Sequence, residues 1–228
     1  MKKYFLPVII LISLLLSSSS LLGKKKWELE KTKCFNSSKT DCLKIMTRKT
    51  PGSSMKEFKG ELIIHSSIDK IIKILKDHKS YPKWFKDCKR LDFVKKFNNN
   101  SIDFYSIFDA DKFGVSARDV FFRCKYVVKK KKGMVVDFKI ITNLVKEKQI
   151  KKELGQKNMP VKICSDCERI SELKSLWHLE KIGDNKIKVL YQSLSNPEGW
   201  IPSSLANAFA IDQPFDTLLN LKKMSEKK

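Results

Sequence analysis

The sequence predicts an α+β domain in which antiparallel strands joined by hairpins lead to an apolar C-terminal helix. Two observations carry this. Between about residues 88 and 193, apolar side chains recur with a period of two, broken by clusters of turn-forming residues. After Gly199 the spacing becomes helical. Gly199–Ile211, "GWIPSSLANAFAI", holds no charged side chain in a chain that is 32% charged.

Taken in order, Trp27 to about Asn36 reads as a short lead-in of one or two helical turns. "CLKIMTRK" and "EFKGELIIH" flank "TPGSS" as a hairpin. Ser66-Ser67 can cap a helix whose Ile68, Ile71, Ile72 and Leu75 share one face, and Pro82 in "SYPKWF" ends it. Leu91 and Phe93 begin a strand, "NNNS" turns it, and Ile102, Phe104, Ser106 and Phe108 alternate along the next. "DADKFGVSA" links to "RDVFFRCKYVV", whose drier face carries Arg118, Val120, Phe122, Cys124, Tyr126 and Val128. "KKKKG" is an exposed hairpin tip leading to Met134, Val136, Phe138 and Ile140. A polar, poorly periodic insertion at about 143–168 follows. Two last strands place Leu173, Ser175, Trp177 and Leu179 opposite Ile187, Val189, Tyr191 and Ser193. In the final helix Pro202 suits the first turn, Leu205 and Phe209 continue the apolar spacing, and Pro214 predicts a kink or break before it. Thirteen uncharged residues interrupted by proline, asparagine and serines are too few to span a membrane. A helix apolar on most sides needs a second neighbour besides the sheet.

Residues 1–23 have the layout of a secretory signal peptide: Lys2-Lys3, an apolar run over 5–16, then small residues. An uncleaved anchor through residues 5–23 is the alternative. The remaining 24–228 make one domain with a charge of about +20, read first as a solvated basic surface and otherwise as attraction to anionic membrane or polysaccharide. Export argues against nucleic acid as a partner, and a monomer is expected. Six cysteines suit an oxidising compartment, periplasmic or secreted. Cys34 with Cys42 is the first pairing expected. Cys164 and Cys167 read as a structural bridge, ahead of half a zinc site or a redox pair. No P-loop, GxGxxG or HExxH occurs, and His65, His78 and His178 have no recognisable nucleophile beside them in sequence. No catalytic residue, metal or cofactor is therefore expected.

"ARDVFFRC" followed by a hairpin, then "NPEGWIPSSLANAF" near the end, resembles the START lipid-binding domain. "TRKTPGSSMKEFKGEL", a helix and "YPKWFKDC" follow in that family's order, so the likeness covers about residues 27–224. The resemblance implies a helix-grip fold, a curved antiparallel sheet wrapped around a long C-terminal helix, with a tunnel for one lipid. It implies a lid from residues 202 onward and from 109–117, and brings Trp200, Leu205 and Phe209 to the ligand; with such a lid, Pro214 reads as its hinge. Phe104, Phe108, Phe122, Met134, Phe138, Trp177 and Tyr191 form the inward set that periodicity assigns. Arg118 shares that face. Buried there, it needs a carboxylate, carbonyls, water or a ligand head group: either it pairs with an acid to tie the lid loop to the sheet, or it anchors a hydroxyl or acidic lipid head. Asp103 and Asp109 have the wrong parity to be its partner, Arg123 points outward, and Asp119 is structural. The chain is thus expected to be an exported lipid-binding or lipid-transfer protein. A scaffold with a filled cavity that binds a protein or membrane, and less readily a cyclase-like enzyme, are the alternatives.

Overall fold

The structure, a computed structural model, describes residues 26–51, 55–110, 114–155, 158–201, 206 and 208–227. Among these, ten strands form one sheet: β1 (Glu28–Cys34), β2 (Cys42–Lys49), β3 (Lys56–Ile64), β4 (Cys88–Asn98), β5 (Ser101–Phe108), β6 (Arg118–Lys131), β7 (Met134–Leu144), β8 (Glu168–Arg169), β9 (Glu172–Gly183) and β10 (Lys186–Asn196). The order is β1-β2-β3-β10-β9-β7-β6-β5-β4, antiparallel throughout, with the two-residue β8 parallel to the start of β6. The long pairings are those the alternation predicts: Phe104 lies opposite Phe122, Tyr126 opposite Ile140, and Trp177 opposite Tyr191. Lys132 and Gly133 both adopt positive φ, the conformation a tight hairpin requires between twisted strands.

The lead-in is a strand, not a helix. β1 pairs with β2 from Glu28 to Cys34, and the Cys34–Cys42 disulfide joins directly opposed positions of the two strands. A helix there would leave β2 as the sheet edge, with a row of unpaired backbone groups.

Helix α1 (Ile68–Lys76) buries Ile68, Ile71 and Leu75, and the Ser67 hydroxyl caps it by accepting from the Lys70 N–H. After one 3₁₀ turn (His78–Ser80), the short α2 (Tyr81–Trp84) delivers Trp84 and Phe85 to the core. α3 (Glu147–Leu154) belongs to the insertion. At the C-terminus a wide π-type turn, Ala208–Asp212, runs into α4 (Gln213–Glu226), with Pro214 in the first turn of α4. The helix changes type just where the proline, lacking an N–H, cannot continue the regular ladder. Pro202 and Leu205 lie outside the described residues. No described helix is long and apolar enough to cross a membrane.

α4 rests on β2 and β3 and also touches α1. Phe215, Leu218 and Leu221 are buried there against Leu43, Ile45, Phe58 and Leu62. Three polar bonds stitch its other side to the end of α2: Gln213 Nε2 to the Lys86 carbonyl (3.2 Å), the Lys86 N–H to Thr217 Oγ1 (3.1 Å), and Asn220 Nδ2 to the Trp84 carbonyl (2.9 Å). Lys222 is 6% exposed, and its ammonium reaches the Ile63 carbonyl, Glu226 and Asp41. Those partners supply what a buried cation needs.

Gly60 makes this approach possible. A Cβ built there would lie 2.3 Å from Leu218 Cδ1 and 3.0 Å from Ile45 Cδ1, both on fully buried side chains. Gly60→Ala is expected to push α4 off the sheet and destabilise the domain by about 1–3 kcal/mol, the usual range for overpacking. Denaturant unfolding of the two proteins checks this; an unchanged midpoint would contradict the close packing.

Candidate functional site

Two cavities lie on the concave face of the sheet. The lid-side cavity, ≈100 Å³, sits under the start of the C-terminal helical segment, between Phe58 of β3, Arg118 of β6, Ser193 and Ser195 of β10, and Phe209, Ala210 and Gln213. The distal cavity, ≈80 Å³, is roofed not by α4 but by His78, Tyr81 and Phe85. Its floor is Phe104, Phe122, Cys124, Tyr126, Ile140, Thr142 and Trp177. Phe85, Phe108, Leu173 and Tyr191 border both cavities and form the partition between them. Phe85 meets Phe108 and Tyr191 with ring centroids 6.1 Å apart in each pair. Tyr191 also stacks on Trp177 at 4.0 Å.

Of the residues expected to face a ligand, Phe104, Phe108, Phe122, Trp177 and Tyr191 border a cavity, as do Arg118 and Phe209. Phe138 is fully buried, 6.2 Å behind the Tyr126 ring, and borders neither. Met134 does not face the interior and is 58% exposed. The ladder shifts between Lys129–Asp137 and Lys130–Val135, so one extra residue in β7 reverses the parity below Asp137. Val135 takes the inward place and packs on the core. Trp200 is 78% exposed: Glu198 and Gly199, both at positive φ, turn the chain so that its indole leaves the sheet. Leu205 lies outside the described residues.

Arg118 is 2% exposed, and of the partners a buried guanidinium can take it has backbone carbonyls. Its Nε donates to the Pro197 carbonyl (3.3 Å), one terminal nitrogen to the Glu198 carbonyl (3.2 Å) and the other to the Ser116 carbonyl. The guanidinium thus clasps the loop before β6 to the turn that leads into the C-terminal segment. That turn also closes on itself, Asn196 and Ser171 both donating to the Glu198 carboxylate.

The other arginines and acids of this region serve the outer face of the sheet. Asp103 and Asp119, almost fully buried, pair there with Arg123 and Arg169. Arg123 also meets Glu153, and Arg169 meets Glu147, both on α3. The Tyr105 hydroxyl donates to Asp119 (2.6 Å) and accepts the Cys164 N–H (2.8 Å); burial raises this phenol to about 12. The insertion is therefore fastened over a second apolar cluster of Val94, Tyr105, Ile107, Phe121, Val145 and Ile150. Cys164 and Cys167 form a disulfide within it.

His78 has a place in the site that sequence reasoning missed. Its Nε2 lies 3.0 Å from the Tyr126 hydroxyl, and its ring sits 4.2 Å from that of Phe104. It separates the distal cavity from a surface groove lined by Lys76, Lys79, Arg90 and Asp92. Burial is the main cause that lowers its pKa from 6.5 to about 4, so the imidazole is neutral near pH 7. The density of aromatic residues in "SYPKWF" was the available signal that this segment is a roof. Cys88 and Cys124, both unpaired, border the distal cavity, and burial pushes their thiols up to about 11 and 12. Protonated thiols of this kind are weak nucleophiles.

No family profile matches the chain. An uncharacterised protein of Pseudomonas aeruginosa is 28% identical over 189 residues, covering 82% of this chain and 84% of that one. Among solved structures, a STAR-related lipid transfer protein from Xanthomonas axonopodis superimposes with a TM-score of 0.69 at 25% identity, covering 89% of this chain and all of that one. The human StAR-related lipid transfer protein 5 gives 0.69 at 12% identity, covering 88% and 86%.

The sign of the His78 shift makes a prediction. An unfolded histidine takes up its proton near pH 6.5, the folded one only near 4, so the unfolded state holds more protons in between. This group's share of stability is complete above about 6.5, falls as pH drops towards 4, and is level below. His78→Gln is expected to flatten the pH dependence of unfolding between 4 and 6.5, and an NMR titration of His78 is expected to show a midpoint below 5. A midpoint near 6.5 would contradict the buried, neutral imidazole.

The concave antiparallel sheet, the C-terminal helix laid across it and the agreement with these solved structures together identify the architecture: the chain has the helix-grip fold of the START domain.

Proposed function

We propose that this chain is an exported lipid-binding or lipid-transfer protein that holds one apolar molecule on the concave face of its sheet, without covalent chemistry. The observation that carries the reading is the pair of adjoining, largely aromatic cavities divided only by side chains of Phe85, Phe108, Leu173 and Tyr191. Ligand sites commonly enclose about 300–1,000 Å³. The cavities of ≈80 and ≈100 Å³ are smaller even taken together, so uptake requires those four side chains to rotate, both joining the cavities and adding the space they now fill. Arg118 acts as a clasp on the lid turn, leaving the apolar walls to provide most of the affinity. The two disulfides support an oxidising compartment, and the excess of lysine and arginine brings the protein to anionic membrane surfaces. The raised thiols and the pairing of His78 with a phenol support a binder over an enzyme.

The small cavity volume favours a second reading, a scaffold whose interior is filled and whose exterior binds a partner. Native mass spectrometry after exposure to lipid vesicles separates the two. The lipid-binding reading expects a one-to-one lipid complex that passes its lipid to acceptor vesicles; protein that stays empty under all loading conditions would refute it. Phe108→Ala removes part of the partition and is expected to cost about 1–4 kcal/mol of stability. Stopped-flow loading should be faster in this variant than in the parent; equal rates would rule out the partition as the barrier.

A further inference from the structure

We infer that the distal cavity receives an uncharged oxygen of the ligand, a hydroxyl or a carbonyl, on the His78–Tyr126 pair, so that the chain selects lipids with a neutral polar end. This deepens the lipid-binding reading and rests on it. Among the described residues, no lysine, arginine, aspartate or glutamate lines this cavity. Its polar lining is made of hydroxyls, phenols, thiols and the His78 imidazole, which burial keeps neutral. A carboxylate or phosphate placed there would lose its hydration with no counter-charge to replace it. The nearest cations stay outside it: exposed Lys76 lies over the outer side of the site, 5.2 Å from the Tyr126 ring centroid, and Lys79 and Arg90 line the surface groove beyond His78. Those bordering the other cavity are engaged. Arg118 donates from each of its three nitrogens to carbonyls, and Lys56 pairs with Glu30 at 3.0 Å.

Several polar groups of the distal cavity already have partners: Thr142 meets Cys124, and Tyr191 meets Ser175. Tyr81 gives its O–H to the Leu75 carbonyl, and Ser106 gives its own to the Arg90 carbonyl. The His78–Tyr126 pair keeps capacity in either tautomer. If the phenol donates to Nε2, its oxygen still accepts from a ligand hydroxyl. If Nε2–H donates to the phenol, the phenol O–H is free for a ligand carbonyl. Size agrees with a small polar end. A cavity of ≈80 Å³ has room for about five to eight water-sized groups, at roughly 10–15 Å³ each, too few for a zwitterionic phosphodiester head.

The test uses the delipidated full chain at pH 7.5 and two matched pairs of probes, cholesterol with cholesterol sulfate and hexadecanol with hexadecanoate, plus hexadecane as the headless control. In whichever pair binds, the neutral member is expected to bind at least about tenfold tighter, since the anion must shed its water unpaired. Tyr126→Phe is expected to lower the hexadecanol-to-hexadecane affinity ratio roughly 3- to 10-fold, the value of one neutral hydrogen bond. His78→Gln provides the same readout should the first variant fail to fold. Equal or tighter binding of the anions would overturn this inference and leave lipid binding intact. An unchanged hexadecanol-to-hexadecane ratio in a folded variant would overturn the placement of the oxygen. Failure of every probe to bind, hexadecane included, would overturn the lipid-binding reading beneath it.

Discussion

The concave face of the sheet is wider than the C-terminal helix that lies on it, and the architecture follows from that mismatch. Within the sheet, α4 packs chiefly on β2 and β3, at a distance set by Gly60. α1 covers parts of β7 and β9, and the segment from His78 to Phe85 covers the β4 side. Three separate roofs cannot meet over a strongly curved floor without gaps, and the two cavities are those gaps. The same geometry explains the polar stitching between α4 and the end of α2. Where two roof elements meet over apolar space, directional bonds from Gln213, Thr217 and Asn220 hold them in place.

Opposite requirements apply on the two faces. Inside, the proposed binding needs a surface that gives way to a ligand, and the partition is built from rings in tilted, edge and stacked contact. Outside, the insertion is pinned by two buried carboxylates, each meeting an arginine that also reaches α3. Breaking one partner of such a pair would leave a buried charge uncompensated, which is strongly unfavourable. The insertion thus braces the backs of β5 and β6, the strands whose inner side chains floor the distal cavity. Arg118, at the start of β6, joins the two faces by holding the turn at Pro197 and Glu198 to the strand that the insertion braces.

Much of this was legible in the residues. Twofold alternation gave the pairing of β5, β6, β9 and β10, and hence the inward positions of Phe104, Phe122, Trp177 and Tyr191. Alternation fails where the ladder slips: Met134 has the right parity in sequence, but the extra residue near Val136 reverses it. Trp200 could not be placed because its direction depends on two successive left-handed residues, one of them a glutamate. β1 was misread because its residues are mostly exposed and polar, and an edge strand held by a disulfide carries little hydrophobic pattern. Arg118 is legible as an interior residue in need of partners, carbonyls among them, but which three carbonyls it meets leaves no trace in residue types. His78 was passed over for a related reason. Its partner Tyr126 is 48 residues away, and only the folded sheet brings the two to 3.0 Å.

The central claim is that the two cavities become one when a lipid enters. The most direct measurement is a crystal structure of the protein loaded with a long-chain neutral lipid. The account predicts continuous ligand density from beneath α4 to the His78–Tyr126 pair, with Phe85, Phe108, Leu173 and Tyr191 rotated away from their present contacts. Lipid bound only on the outer surface, with those four side chains unmoved and both cavities as small as they are now, would contradict it.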